Sequence, residues 1–189
     1  WRWVIALAVL TPFAAPIVRR DWHLVRQYWP RLALMGVLSV CVFSTLLYTG
    51  LAHTTATNAL LLNSTAPVLI VIVTWLVGGE RVTPMQAVGI ATSFAGVATI
   101  VFHGSWEGVR ALEFGRGDVW VLIAVAVWAV YTVLLRWRPP DVGLILFLAV
   151  TITAGVVASL PLYLREVWMG VPTMLTVGSV SGLIYMGVL

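Results

Sequence analysis

The residues between Leu32 and Gly79 include no aspartate, glutamate, lysine or arginine. A membrane-crossing helix needs about 20 predominantly apolar residues, so this run is long enough for two crossings with a turn between them. Four more uncharged runs cover residues 82–106, 119–135, 142–164 and 167–189. A hydrophobic fraction of 61% and a charged fraction of 10% fit the same class of protein. The sequence therefore predicts an all-α, polytopic transmembrane helix bundle.

Seven membrane spans are predicted, and the positions of the arginines orient them. The spans are residues 3–18, 32–52, 58–77, 84–102, 119–135, 142–164 and a seventh from about residue 175. Of the 11 basic residues, all arginine, seven fall on the side of segment 19–31 and four on the other side. By the positive-inside rule, segment 19–31 lies in the cytoplasm, and its aromatic residues lie at headgroup level. The net charge of +4 is then a topology signal, and no nucleic-acid partner is predicted.

Two of these spans form a hairpin over residues 53–103. Its polar corner ends in the tetrad Thr83-Pro84-Met85-Gln86, which predicts a helix start. Thr83 caps the helix, Pro84 occupies the first turn where its missing N–H costs nothing, and Gln86 reaches back to the cap amide. Small residues then recur four apart, at 87, 91 and 95 and at 89 and 93. Such rows let helix backbones approach closely in lipid.

The run TNALLLNSTAPVLIVIVTWLVGGERVTPMQAVGIATSFAGVATIV resembles the characteristic half of an EamA-type domain of the drug/metabolite transporter superfamily. GDVWVLIAVAVWAVYTVLLRW resembles the opening helix of an EamA repeat, and VGSVSGLIYMGVL resembles its third helix. The resemblance implies ten helices in two inverted five-helix repeats. On that register, residues 1–104 are a first repeat without its first helix, 105–118 an inter-repeat loop and 119–189 a truncated second repeat. The chain is therefore expected to be incomplete at both ends.

The same resemblance implies a secondary transporter that works by alternating access. It implies export of a small metabolite, amino acid or related organic solute across a prokaryotic cytoplasmic membrane. The expected partners are the lipid bilayer and the solute, a homodimer is left open, and no cofactor is expected. The alternative is a non-transporting structural or assembly subunit, because rows of small residues also serve assembly. A polar, water-accessible cavity reaching Asn63 or Trp128 would favour the carrier.

Polar residues beside a proline give the first candidate substrate site. Pro67 has no N–H, so it leaves the carbonyl of Asn63 without its helical partner and kinks the helix. In one interpretation Asn63, Ser64 and Thr65 satisfy the broken backbone. In the other, the kinked half-helix lines a substrate cavity near the membrane midplane. Asn58 is a weaker candidate, since it lies nearer the outer end of the span.

Aromatic residues at mid-depth give the second candidate site. Trp128 and Tyr131 lie three residues apart in the fifth span, so they share one helix face. They serve either core packing or the lining of a cavity for an organic solute. Tyr48 and Tyr185 are weaker candidates of the same kind, because a hydroxyl in a dry environment needs a partner.

Charged and metal-binding residue types indicate no catalytic site. Glu80 and Arg81 are predicted to form an interfacial ion pair at the cytoplasmic corner, with a role in the inner gate as the alternative. The seven acids lie in loops or at span ends, no nucleotide-binding loop is present, and the three histidines have no metal-ligand spacing. Cys41 is predicted to be structural. No enzyme activity is therefore expected.

Overall fold

The computed structural model describes residues 2–78, 83–101 and 115–170, and within these ranges it is all helical apart from short connections. The helices are α1 Arg2–Arg20, α2 Trp22–Gly36, α3 Phe43–Leu51, α4 Ala56–Asn63, α5 Ala66–Gly78, α6 Pro84–Val101, α7 Arg116–Leu134 and α8 Leu144–Trp168. A π-helical segment, Val37–Val42, joins α2 to α3, and a 3-10 turn, Leu135–Trp137, follows α7. Five helical stretches in the described ranges are long and apolar enough to cross a membrane. The predicted all-α, multi-pass bundle is confirmed.

The second membrane-crossing stretch begins earlier than predicted. Helix α2 starts at Trp22, so most of the arginine-rich segment predicted as a loop is helical. Hydropathy marks only the part of a helix inside the hydrocarbon, whereas backbone hydrogen bonding continues into the headgroup region. The turn before α2 holds an ion pair between Arg20 Nε and Asp21 Oδ1 at 2.9 Å. The hydrogen bond from Arg20 lowers the pKa of the Asp21 carboxyl.

One compact unit comprises residues 1–41 and 138–189, and its described helices are α1, α2 and α8. Helices α2 and α8 run parallel, since Gly36 lies against Thr151 and Gly155 lies against Val40. A Cβ atom added to Gly36 would lie 2.1 Å from the Thr151 carbonyl oxygen, so the two backbones are in direct contact. This glycine-mediated contact is the close helix approach that small residues permit in membranes.

The other compact unit comprises residues 42–137 and holds α3 to α7. Helix α7 runs antiparallel to α3, because Gly50 lies against Val121 while Phe43 lies against Trp128. Both α4 and α5 also pack on α7. Three buried residues form the core, and four partly buried ones cover it: Ala59, Val121 and Val125, with Leu47, Leu62, Ala66 and Leu69. The unit is thus organised around α7.

The two units divide the chain at residues 41/42 and 137/138, whereas the predicted repeats divide it at 104 and 119. Contact and internal repetition are different properties, so the division into repeats remains a prediction. The predicted inter-repeat loop, residues 105–118, includes three residues that are helical, since residues 116–118 form the first turn of α7. The seventh predicted span lies outside the described residues.

The helix start predicted at Thr83-Pro84 is confirmed, although α6 is not among the five membrane-capable stretches. The backbone N–H of Thr83 donates to Gln86 Oε1 at 3.0 Å, and the backbone N–H of Gln86 donates to Thr83 Oγ1 at 3.3 Å. This reciprocal pair is a capping box, with Pro84 as the first helical residue. Helix α6 is therefore fixed at the position that its sequence dictates.

Candidate functional site

The third membrane-crossing stretch is broken near its middle, as the proline predicts. Helix α4 ends at Asn63 and α5 begins at Ala66, so Ser64 and Thr65 form the break. Their hydroxyls donate to the carbonyl oxygens of Leu61 and Leu62, each at 2.6 Å. The backbone N–H groups of Ser64 and Thr65 donate to the same two carbonyl oxygens at 3.1 Å, so the hydroxyls add a second hydrogen bond to each carbonyl at the break.

The two halves of the broken helix have separate local supports. Thr55 caps α4, because its hydroxyl accepts a hydrogen bond from the backbone N–H of Asn58 at 3.2 Å. Pro67 lies in the first turn of α5, where a missing N–H costs little. Helix α4 is therefore a short, independently capped half-helix.

Asn63 and Thr65 differ in what they can offer a ligand. The Thr65 hydroxyl donates its proton to the Leu62 carbonyl oxygen, which also accepts the Thr65 backbone N–H. The Asn63 side chain is exposed, and among the described residues no hydrogen bond to its amide is found. An exposed amide carries both donor and acceptor groups beside the break. Of these two residues, Asn63 is thus the better candidate for a polar contact with a ligand.

A cavity of about 440 Å³ opens between α5 and α6, within the second unit. Pro67 and Val71 form one wall, and Gln86, Gly89 and Ser93 lie on the other. The volume suits a small organic molecule, and the lining is apolar with few polar groups. Pro67 is a predicted candidate residue, whereas the sequence predicts a capping role for Gln86 and close helix packing for Ser93. Their polar character on a helix of otherwise small and apolar residues was the available signal.

The predicted aromatic pair forms part of a three-ring cluster. The Trp128 and Tyr131 ring centroids are 5.2 Å apart, and Phe43 on α3 lies 4.9 Å from Trp128. Both pairs are tilted, at 46° and 41°, which is a favourable arrangement for aromatic rings. Trp128 keeps 37% of its surface exposed, so one side of the cluster is uncovered by the described residues. Phe43 was missed, because the pairing of α3 with α7 is not visible in the sequence.

The remaining predicted residues are Tyr48, Tyr185, Glu80 and Arg81. Tyr48 lies on α3 and is 51% exposed. Tyr185, Glu80 and Arg81 lie outside the described residues, so their predicted roles stay predictions. Nor is a metal site seen within residues 2–78, 83–101 and 115–170, where no three His, Cys, Asp or Glu side chains come together. The described site offers ring faces, amides and hydroxyls.

A buried carboxylate is the main feature of this region that the sequence does not predict. Asp118 lies in the first turn of α7 and is 1% exposed. It accepts hydrogen bonds from the Thr54 hydroxyl, from Asn58 Nδ2 at 3.5 Å and from the Gly115 backbone N–H at 2.7 Å. The prediction had placed the acids in loops or at span ends, and Asp118 is indeed at a span end. Its burial follows from the meeting of the α3–α4 corner with the start of α7.

Comparison with known proteins agrees with this architecture. The model of the EamA-like transporter family matches residues 1–102. An uncharacterized transporter of Clostridium kluyveri is 27% identical over 191 residues, covering 98% of this chain and 60% of its own length. An uncharacterized transporter of Archaeoglobus fulgidus is 36% identical over 56% of this chain and 36% of its own length. No solved structure matches the chain.

A further relative has a more specific name. A probable terminal-alkyne amino-acid exporter of Streptantibioticus cattleyicolor is 33% identical over 52% of this chain and 31% of its own length. The chain spans between about a third and three fifths of the length of these curated relatives. With a family match over more than half of its residues and a multi-pass helical fold, the chain belongs to the EamA-like transporter family.

Proposed function

We propose that the protein is a secondary transporter that exports a small metabolite, amino acid or related organic solute by alternating access. The membrane is the cytoplasmic membrane of a prokaryote, and the transported solute is the small-molecule partner. Family membership supports transport, and the name of the S. cattleyicolor relative supports an amino-acid-like solute and the outward direction. The proposal includes the interpretation of the second half of the chain as a repeat that is inverted relative to the first.

The observation that carries the proposal is the broken helix α4–α5 beside the cavity between α5 and α6. In membrane transporters, interrupted helices occur where backbone and polar side chains line a solute-accessible space. Here the break lies at Ser64 and Thr65, and Pro67, the second residue of α5, lines the cavity. The lining of this cavity is mostly apolar and includes neither Asn63 nor Trp128. The predicted mark of a carrier, a polar cavity that reaches one of these two residues, is therefore not met by this cavity.

The described groups suit an organic solute with both polar and apolar parts. The exposed Asn63 amide supplies a donor and an acceptor, while the uncovered side of the Trp128 ring supplies a flat apolar face. We place Asn63 and Trp128 as solute-binding residues, with Tyr131 and Phe43 holding the Trp128 ring in position.

Counterflow in proteoliposomes containing the full-length protein tests this function. The assay would use a panel of radiolabelled amino acids and organic acids. We expect Asn63→Ala or Trp128→Ala to raise the half-saturating concentration of the transported compound roughly 2- to 10-fold. This range corresponds to the loss of one hydrogen bond or one ring contact.

Trp120→Ala is the matched control, since Trp120 lies on the same helix and is 41% exposed. Near the start of α7 it is an interfacial anchor, so its loss should leave the half-saturating concentration unchanged. If no compound in the panel shows counterflow, the carrier function is wrong. If the Asn63 and Trp128 variants lose membrane insertion and flux in parallel, their binding role is wrong.

A further inference from the structure

In addition to the apolar contacts of Ala59 and Leu62, one buried carboxylate links the start of α4 to the start of α7. Asp118 receives hydrogen bonds from Thr54, immediately before the cap of α4, and from Asn58 in its first turn. The third donor, the Gly115 backbone N–H, belongs to the same end of α7 as Asp118 itself. One of the three bonds therefore joins α4 itself to α7, and a second joins α7 to the residue before the cap of α4.

The burial of Asp118 makes the loss of its hydrogen-bond donors costly. A carboxylate that is 1% exposed has little water to replace a missing donor. No ion pair with Asp118 occurs among the residues that the structure describes. Among the described residues, the buried carboxylate of Asp118 is therefore stabilised by hydrogen-bond donors and by the N-terminal dipole of α7.

Close packing surrounds the carboxylate on the α3 side. A Cβ atom added to Gly117 would lie 2.5 Å from the His53 carbonyl oxygen and 2.7 Å from that of Gly50. The start of α7 is therefore in direct backbone contact with the end of α3 and with His53 just after it. By contrast, α4 is eight residues long and is separated from α5 by the break at Ser64 and Thr65.

We propose that Asp118, Thr54 and Asn58 form a clasp that keeps the half-helix α4 seated on α7, so that breaking the clasp releases α4 without unfolding the rest of the protein. Asp118 is then a positioning residue, which acts through α4 on the broken site. Only the link from this movement to solute passage rests on the proposed transport function. The clasp itself can be tested with no solute present.

The test follows the reactivity of a buried cysteine beneath α4 in the full-length protein. Cys41 is first replaced by alanine, and Ala59→Cys is introduced as the reporter. Ala59 is 7% exposed and packs in the core with Val121 and Val125, so a thiol there reacts slowly while α4 is seated. A membrane-impermeant maleimide on reconstituted protein measures the labelling rate.

Asp118→Asn replaces one acceptor oxygen by an NH2 group, which is itself a donor and cannot accept the hydrogen bonds from the Thr54, Asn58 or Gly115 donors. We expect it to raise labelling of Ala59→Cys by roughly tenfold or more, the effect of losing hydrogen bonds to a charged group. Asp141→Asn is the matched control, because it makes the same chemical change at an exposed carboxylate. It should leave the rate unchanged.

A second reporter separates local release from general unfolding. Ala149→Cys lies on α8 in the first unit and is 6% exposed. Its labelling should not change in Asp118→Asn. An equal rise at both reporters, or no rise at Ala59→Cys, overturns the clasp.

Milder changes keep the test decisive if Asp118→Asn does not fold. Thr54→Val removes the hydroxyl donor and should raise Ala59→Cys labelling, while Thr54→Ser keeps the donor and should restore the slow rate. Thr57→Val, an exposed threonine on the same half-helix, is the control. Equal labelling in Thr54→Val and Thr54→Ser contradicts the proposal.

Discussion

Single residues at the start of α6 show how directly sequence can determine local structure. The Thr83 hydroxyl and the Gln86 amide each satisfy a backbone N–H that the first turn leaves unpaired. We expect Thr83→Ala to lower the free energy of unfolding by about 1 kcal/mol, the usual cost of losing an N-cap. Titration with dodecyl sulfate in mixed micelles measures this change. Thr83→Ser keeps the oxygen and should be neutral; a loss in both variants would assign the effect to the threonine methyl group.

The contacts of Asp118 could not be predicted from the sequence. The sequence places Thr54, Asn58 and Asp118 at the outer ends of predicted spans, so their common side could be predicted. Their contact could not, because it depends on which helices are neighbours and on the rotation of each helix about its axis. For the same reason Trp128 was found and its partner Phe43 was not. Local interactions can be predicted from the sequence, whereas contacts between residues of different helices can be identified only once the fold is known.

Among the helices, the contact of α2 with α8 is the most sensitive to an added atom. Gly36→Ala would place a methyl group against the Thr151 backbone, which cannot move as a flexible side chain can. We expect the free energy of unfolding to fall by about 1–3 kcal/mol, as for overpacked cores. The midpoint of dodecyl sulfate unfolding measures it.

Gly96 on α6 provides the control for this helix contact. Among the described residues nothing lies within 4 Å of a Cβ atom added there. Gly96→Ala should therefore be neutral or stabilise the protein by up to about 1 kcal/mol, since alanine favours the helix. Equal destabilisation by the two variants would contradict the specific role of Gly36.

Helix boundaries were predicted well where the sequence contains a helix start or stop signal. The break after Asn63 follows from Pro67, and the start of α6 follows from its capping box. The start of α2 at Trp22 was missed, because polar and basic residues continue a helix beyond the hydrocarbon without any stop signal. The π-helical segment Val37–Val42 was missed too, since its apolar sequence is compatible with ordinary α-helix.

At the scale of the whole molecule, the distribution of arginines predicts the sidedness of every connection. Seven of the 11 basic residues fall on one side of the predicted threading, the cytoplasmic side by the positive-inside rule. Within the second unit, the hydrogen bonds of Asp118 place the α3–α4 corner beside the start of α7, as that threading requires. Segment 19–31 and the corner containing Glu80 should then face the cytoplasm, and the His53 corner should face outward.

Labelling of single cysteines tests this threading in the full-length protein with Cys41 replaced by alanine. An impermeant maleimide should label His53→Cys in intact cells. It should label His23→Cys and Glu80→Cys only in inside-out vesicles. Labelling after detergent solubilisation controls for reactivity at all three positions. Labelling of His23→Cys and Glu80→Cys from opposite faces would mean that an odd number of crossings separates them, and the two-crossing path through the broken helix would be wrong.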